Sequence, residues 1–285
     1  MFSNQYYTLV AGFREYALDA ENKGFDISEI LTEVEEALSS ADYKCVQLLY
    51  AYYDCENLIG LHNGSSAHNP LGRLTASEVA EELKSPSHLP ESLARVLRAY
   101  AAPEGEDAEV VDVQQPFGRA LLSAYYKECA ASKSRFLKAW AELDRSIRNI
   151  VAAAEARRRN ISIESVVVGE GEVADTLRRS SAADFGLRGE LPFIEQLIAA
   201  VNDEHNMLEK ERKIDSIRWN EASELSSFDY FDLNAVLAYL VKVNMVARWS
   251  TLDRKTGREM FERLMADLDG KDLINKHLKD NENSR

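Results

Sequence analysis

From Arg119 to Val168 the chain contains neither glycine nor proline, the two residues that most readily interrupt a helix. Through this stretch Leu121, Tyr125, Phe136, Trp140, Leu143, Ile147, Ile150 and Ala154 recur mostly at three- and four-residue steps, which lines one face of an α-helix. The pattern predicts one very long helix of about forty residues, roughly 60 Å at 1.5 Å per residue. That exceeds what a small domain needs, so an elongated, multi-lobe helical protein is expected.

The rest of the chain keeps to the same all-α class. Period-2 alternation is nearly absent, and the 6 prolines and 13 glycines fall mostly between segments of helical spacing. An extended opening at 6–10 precedes a capping box, Asp26 with Glu29, starting a helix that carries Ile27, Ile30, Leu31, Val34 and Leu38. Asp42 is expected to cap the next helix, which runs towards Ile59 and stops before the polar stretch 61–70. Short helices are expected at 77–83 and 90–101, followed by an acidic, turn-rich linker at 103–116 between lobes 1–102 and 117–285. Beyond the long helix come helices at 172–180, 192–201, 204–219, 233–249 and 255–268, then a polar tail.

Composition narrows the function classes. Lys and Arg total 34 against 48 Asp and Glu, a net charge of −14 that has the wrong sign for general binding to nucleic acid. No run approaches the ~20 apolar residues a membrane-spanning helix needs. The N-terminus lacks a basic segment followed by an apolar one, so no secretory signal is expected and the compartment reads as cytoplasmic. Cys45, Cys55 and Cys129 stand at unrelated spacings and are expected to be free, mostly buried thiols.

No motif carries catalysis, a cofactor or a metal. Gly169, Gly171 and Ala174 outline a dinucleotide fingerprint, but Glu170 and Glu172 put carboxylates where a pyrophosphate needs bare N–H groups, and no βαβ repeat surrounds them. No His has a Glu three residues before it, and His62 with His68 make only a loop pair. Glu209 lies one turn before Lys213, the order that supports a solvated helix. Adjacent Arg178 and Arg179, followed by Asp184 and Phe185 in an Asp-Phe-Gly turn, are the candidate partner-facing residues, since an arginine-rich helix end can hold an acidic segment.

An internal echo is present. Tyr52-Tyr-Asp-Cys-Glu-Asn-Leu-Ile59 and Trp140-Ala-Glu-Leu-Asp-Arg-Ser-Ile-Arg-Asn-Ile150 each run aromatic, Asp, then Asn with Leu or Ile, and each precedes a loop; a poorer third copy spans Tyr239 to Trp249. Asp54, Asn57, Asp144 and Asn149 are therefore expected to hold the fold in duplicated lobes. At these residues the chain resembles the C-type subunit (d in eukaryotes) of V/A-type rotary ATPases, whose pseudo-repeats carry an Asp…Asn-Leu/Ile element followed by a basic stretch. Over nearly its whole length it resembles the bacterial DUF2764 family, through Tyr6-Tyr-Thr-Leu-Val-Ala-Gly12, Gly169 to Arg178 with Ala183 to Leu187, Glu209 to Asp215 with Trp219, and Val243 to Asp253.

The resemblance implies a non-catalytic, cofactor-free helical socket with the C/d-type fold of V-type ATPases, coupling the central shaft to the membrane c-ring in proton or sodium transport. DUF2764 members are typically encoded beside V-type ATPase subunits. Central-stalk and c-ring subunits would then be its partners, and it would meet the membrane only through them. Because Asn149 follows Asp144 by five residues and Asn57 follows Asp54 by three, a reduced or fused version of the three-lobed fold is expected. The alternative, from the residues alone, is an all-helical enzyme or ligand-binding protein whose site is assembled from distant residues.

Overall fold

A computed structural model describes residues 5–18, 20, 22–203 and 206–252. The expected helix at 255–268 and the polar tail lie outside the described residues. Among the described residues every regular element is helical and no strand forms. No helix among them is long and apolar enough to cross a membrane. In order the helices are α1 (Tyr7–Gly12), α2 (Ile27–Ala37), α3 (Ser40–His62), α4 (Ala76–Glu82), α5 (Glu91–Ala101), α6 (Phe117–Ala131), α7 (Arg135–Arg158), α8 (Glu172–Arg179), α9 (Ile194–Val201), α10 (Met207–Leu225) and α11, helical over 233–252. Short 3-10 turns sit at Glu106–Glu109 and Ile163–Ser165.

The described residues form two compact units. The larger holds Ser28–Lys242 with the residues up to Arg14, and the smaller holds 15–27 and the residues from Val243. In the smaller unit Tyr16 meets Phe25 edge-on at 5.0 Å, and the Asn22 side chain ties back to Ala17 and Ala20. Its part of α11 buries Val243, Met245, Val246 and Trp249.

Within the larger unit, α3, α5 and α7 all pack on α6, while α8, α9 and α10 pack on α7. The three- and four-residue spacing explains the choice of face: Phe136, Leu137, Ile147, Ile150 and Ala153 of α7 are fully buried. Ile147 and Ile150 share a core with Leu177, Leu187, Ile194, Leu197 and Ile214. Each such side chain contributes about 1.5–3 kcal/mol by leaving water.

The single long helix of about forty residues expected in the stretch 119–168 is in fact two. Ser132 ends α6 in an extended conformation, and the Ser134 hydroxyl accepts the Leu137 N–H (3.1 Å), capping a fresh start for α7. Asn234, at the start of α11, accepts from both the Ser134 hydroxyl (3.0 Å) and the Phe136 N–H (3.2 Å), so the break is pinned by a residue 100 positions away. Ser134→Ala is expected to cost about 1–2 kcal/mol, read as a lower urea midpoint with unchanged slope.

Two local expectations also change. The opening is helical over Tyr7–Gly12, because docking of buried Leu9 and stacking of Phe13 on Tyr239 (3.9 Å) override a weak local preference. Ser39 caps α3, and Asp42 is the residue whose N–H it receives (3.2 Å). Lys213 bonds Asp203 (2.9 Å) across the turn before α10, and the Glu209 charge one turn earlier also favours its charged form, as the sequence order leads one to expect.

Candidate functional site

Two loops in the larger unit are held by the same device. On α3, the buried Asn57 accepts the Asn69 N–H at Oδ1 (2.7 Å) and donates from Nδ2 to the Asn69 carbonyl (3.0 Å). On α7, the buried Asn149 does the same to Val168, accepting its N–H (2.9 Å) and donating to its carbonyl (2.9 Å). A primary amide presents one acceptor and a donor pair side by side, so Asn can satisfy both main-chain groups of one residue where Asp or Leu cannot. Each clamped loop then leads into a short helix, α4 or α8; α4 opens with a capping box of Thr75 and Glu78.

The two aspartates of the echo do different things. Asp54 continues the first clamp: Oδ1 accepts the N–H groups of Arg73 (2.7 Å) and Leu74 (3.0 Å), and Oδ2 pairs with the Arg73 guanidinium (3.2 Å). The loop fits closely enough that a Cβ on Gly72 would stand 2.5 Å from Asn57 Nδ2 and 3.0 Å from Asp54 Oδ1. Asp144 touches no loop. Its Oδ2 pairs with Arg148 (2.6 Å) and accepts the Tyr126 hydroxyl (3.3 Å), while its Oδ1 pairs with Arg218 of α10 (3.0 Å). The unequal Asp–Asn spacings follow from this, since only the asparagines are equivalent.

Around Asp144 the charges are arranged for mutual neutralisation. Arg218 also holds the buried Asp215 (3.0 Å), and the Arg148 guanidinium lies 4.2 Å from the centre of the Tyr52 ring and 4.0 Å from Glu56, whose other oxygen takes the Asn69 side-chain amide (3.0 Å). Burial alone pushes the Asp144 carboxyl up, but Arg148 and Arg218 outweigh it and hold it below the usual carboxylate range. Burial pushes the neighbouring phenols Tyr52 and Tyr126 well up, so they stay protonated at neutral pH. The network thus links the first clamp on α3, through α7, to α10.

Residues 3–271 match the model of DUF2764, described as a protein of unknown function. The chain belongs to this family. No curated protein and no solved structure matches it significantly.

In this DUF2764 chain the four residues expected to face a partner are not alike. Arg178 is turned inward: it donates to the Gly169 carbonyl (2.9 Å) and pairs with Asp175 (3.2 Å) and Glu164 (3.1 Å). Phe185 is buried beneath the Arg157 guanidinium (4.0 Å from the ring centre) and belongs to the core. Its φ of +55° is unusual for a bulky residue and is offset by that burial. Asp184 closes its own turn by accepting the Gly186 N–H (2.9 Å). Arg179 alone of the four is exposed, at the rim of an open hollow of about 480 Å³ lined by Glu172, Asp175, Thr176, Ser180, Phe185 and Gly186.

The Gly169–Gly171 loop is occupied by the protein itself. The φ of +76° at Gly169 favours glycine, and a Cβ there would stand 2.8 Å from the end of the Arg145 side chain, which would have to shift. Among the described residues no three His, Cys, Asp or Glu side chains converge to hold a metal. His62 stacks on Phe117 (4.2 Å). Cys55 and Cys129 are buried, and burial pushes the Cys129 thiol up to about 12, far from the reactive thiolate. Gly72, Arg148, Arg218 and Glu82 were not singled out by sequence; Glu82 gathers the Ser87 and His88 N–H groups (both 2.8 Å) and closes the turn from α4 to α5. Nothing local distinguishes them from other glycines, arginines and glutamates.

Proposed function

We propose that this DUF2764 chain is a non-catalytic component of a V/A-type rotary ATPase, a socket of the C/d type that couples the central shaft to the membrane c-ring in proton or sodium transport. The observation carrying this reading is the repeated clamp, in which Asn57 on α3 and Asn149 on α7 each grip both main-chain groups of one loop residue. These asparagines belong to the Asp…Asn-Leu/Ile elements that resemble the pseudo-repeats of the C/d-type socket. A part that passes torque must not yield, and side-chain clamps on loop backbone, backed by the Asp144 network, stiffen the segments between packed helices. The reading assigns the chain no nucleotide and no chemistry of its own; contact with the membrane runs through its partners.

Gentle affinity purification of the tagged chain from detergent-solubilised membranes, followed by mass spectrometry, tests this. Shaft and c-ring subunits are expected to co-purify and to be lost when the ATPase is dissociated. A clean monomer from membranes holding an intact rotary ATPase overturns the reading and favours the ligand-binding or enzymatic alternative.

A further inference from the structure

In this chain of net charge −14, the two ends of α6 carry opposite charge. Past its last residue, the break before α7 puts Lys133, Arg135 and Lys138 at the surface, and the contact of Cys45 with Ser132 (3.7 Å) brings the exposed Lys44 of α3 beside them. Lys44, Lys133 and Lys138 have no ion pair among the described residues. The carboxylates of this pole are turned to the chain's own donors: Asp42 accepts the Tyr6 hydroxyl, Asp229 holds Arg135 and the Asn234 amide, and Asp232 takes the N–H groups of Asn234 (3.0 Å) and Ala235 (3.2 Å). Aromatic rings protrude among the lysines. Phe228 and Tyr230 flank Asp229 and are 84% and 68% exposed, and the exposed Tyr7 ring rests against Phe231 (4.9 Å).

The segment leading into α6 is the counterpart. Glu104, Glu106 and Glu109 are exposed and have no ion pair among the described residues, and Val110 beside them is 74% exposed. The nearby Arg95 and Arg98 are taken up by Asp107 (3.6 and 2.7 Å), and Arg119 reaches the Glu164 carbonyl (2.6 Å). The 15 residues of α6 hold segment and pole about 22 Å apart, so the two surfaces of one molecule cannot meet each other. We propose that the aromatic and lysine-rich pole is a docking site for the 104–110 segment of a second copy of this chain, giving head-to-tail association. The three glutamates meet the three lysines, and Val110 packs on the Phe228 and Tyr230 rings. The α6 macrodipole accounts for the sense of charge at each end, acids before and lysines after, but not for the exposed rings or Val110. An anionic bilayer fits the pole less well, since its own carboxylates and the net charge of the chain oppose it. Head-to-tail association is independent of the rotary-ATPase reading. It joins two different patches, so it repeats into a ring or an open chain.

Sedimentation equilibrium of the full chain tests this. The weight-average mass of wild type is expected to rise above that of the monomer as concentration reaches about 100 µM, the range of a small, transient interface. Lys133→Gln/Lys138→Gln and, separately, Glu106→Gln/Glu109→Gln are each expected to weaken association at least about tenfold, with an unchanged circular-dichroism melt because none of these side chains has an ion pair to lose. Phe228→Ser/Tyr230→Ser is expected to weaken it to a similar degree. An equimolar mixture of the two Gln variants keeps one intact pole and one intact segment, and is expected to form a 1:1 dimer that grows no further. A wild type that stays monomeric at every concentration overturns the proposal. So does association that the Gln variants leave unchanged, or a mixture of them that fails to dimerise.

Discussion

Asp144→Ala is expected to remove about 3–5 kcal/mol of folding stability, the effect of leaving buried guanidinium charge without its counter-ion. Arg148 and Arg218 both pair with this carboxylate, and neither arginine can shed its proton to escape the loss. Urea unfolding followed by circular dichroism reads the change directly. Asp144→Asn, which keeps the shape and removes the charge, is expected to lie close to the alanine variant. Replacing Asp144, Arg148 and Arg218 together by apolar residues of similar volume is expected to cost less than Asp144→Ala alone, because the desolvation penalty disappears with the charges. If the triple variant is instead the less stable, the network contributes net stability and the account of it as mutual neutralisation fails.

The pH dependence has a definite sign. Because the folded Asp144 carboxyl sits below its ordinary range, its contribution is present above the unfolded value of about 3.9 and is lost as pH falls through the folded value. Wild-type stability should therefore drop below about pH 4, and the drop should be shallower in Asp144→Asn.

Asn57→Ala and Asn149→Ala are each expected to cost about 1–3 kcal/mol, since each removes the side-chain partner of a part-buried N–H and of a part-buried carbonyl, the Asn69 carbonyl keeping the Gly72 N–H. The two effects should add, because the clamped loops share no clamp residue. Hydrogen exchange supplies the local readout: the Asn69 amide should lose protection in Asn57→Ala and keep it in Asn149→Ala, with the Val168 amide behaving in the opposite way. Asn→Asp at either position keeps an acceptor for the N–H but sets a carboxylate against the loop carbonyl, so it should rescue little. Protection lost at both loops in either variant would mean that the clamps act through the whole unit, not one loop at a time.

Much of the architecture is legible in the chain alone, and for a physical reason: helix spacing, caps and punctuation are properties of neighbouring residues. The apolar faces of α2, α5 and α9 and the proline-led start of α5 all rest on contacts within one or two turns. The echo around Asn57 and Asn149 is legible for the same reason, since each asparagine sits in a local run of aromatic and aliphatic residues. Only the tertiary structure decides the rest. The break between α6 and α7 has a local signal in Ser134, but it is fixed by Asn234, 100 residues away. Asp144 and Asp54 look equivalent in sequence and diverge because Arg218, 74 residues further on, reaches one of them. Phe185 sits in a polar, turn-like stretch yet is buried because Arg157 covers it, and Arg178 and Arg179, adjacent in sequence, point one inward and one outward because a helix turns by about 100° per residue.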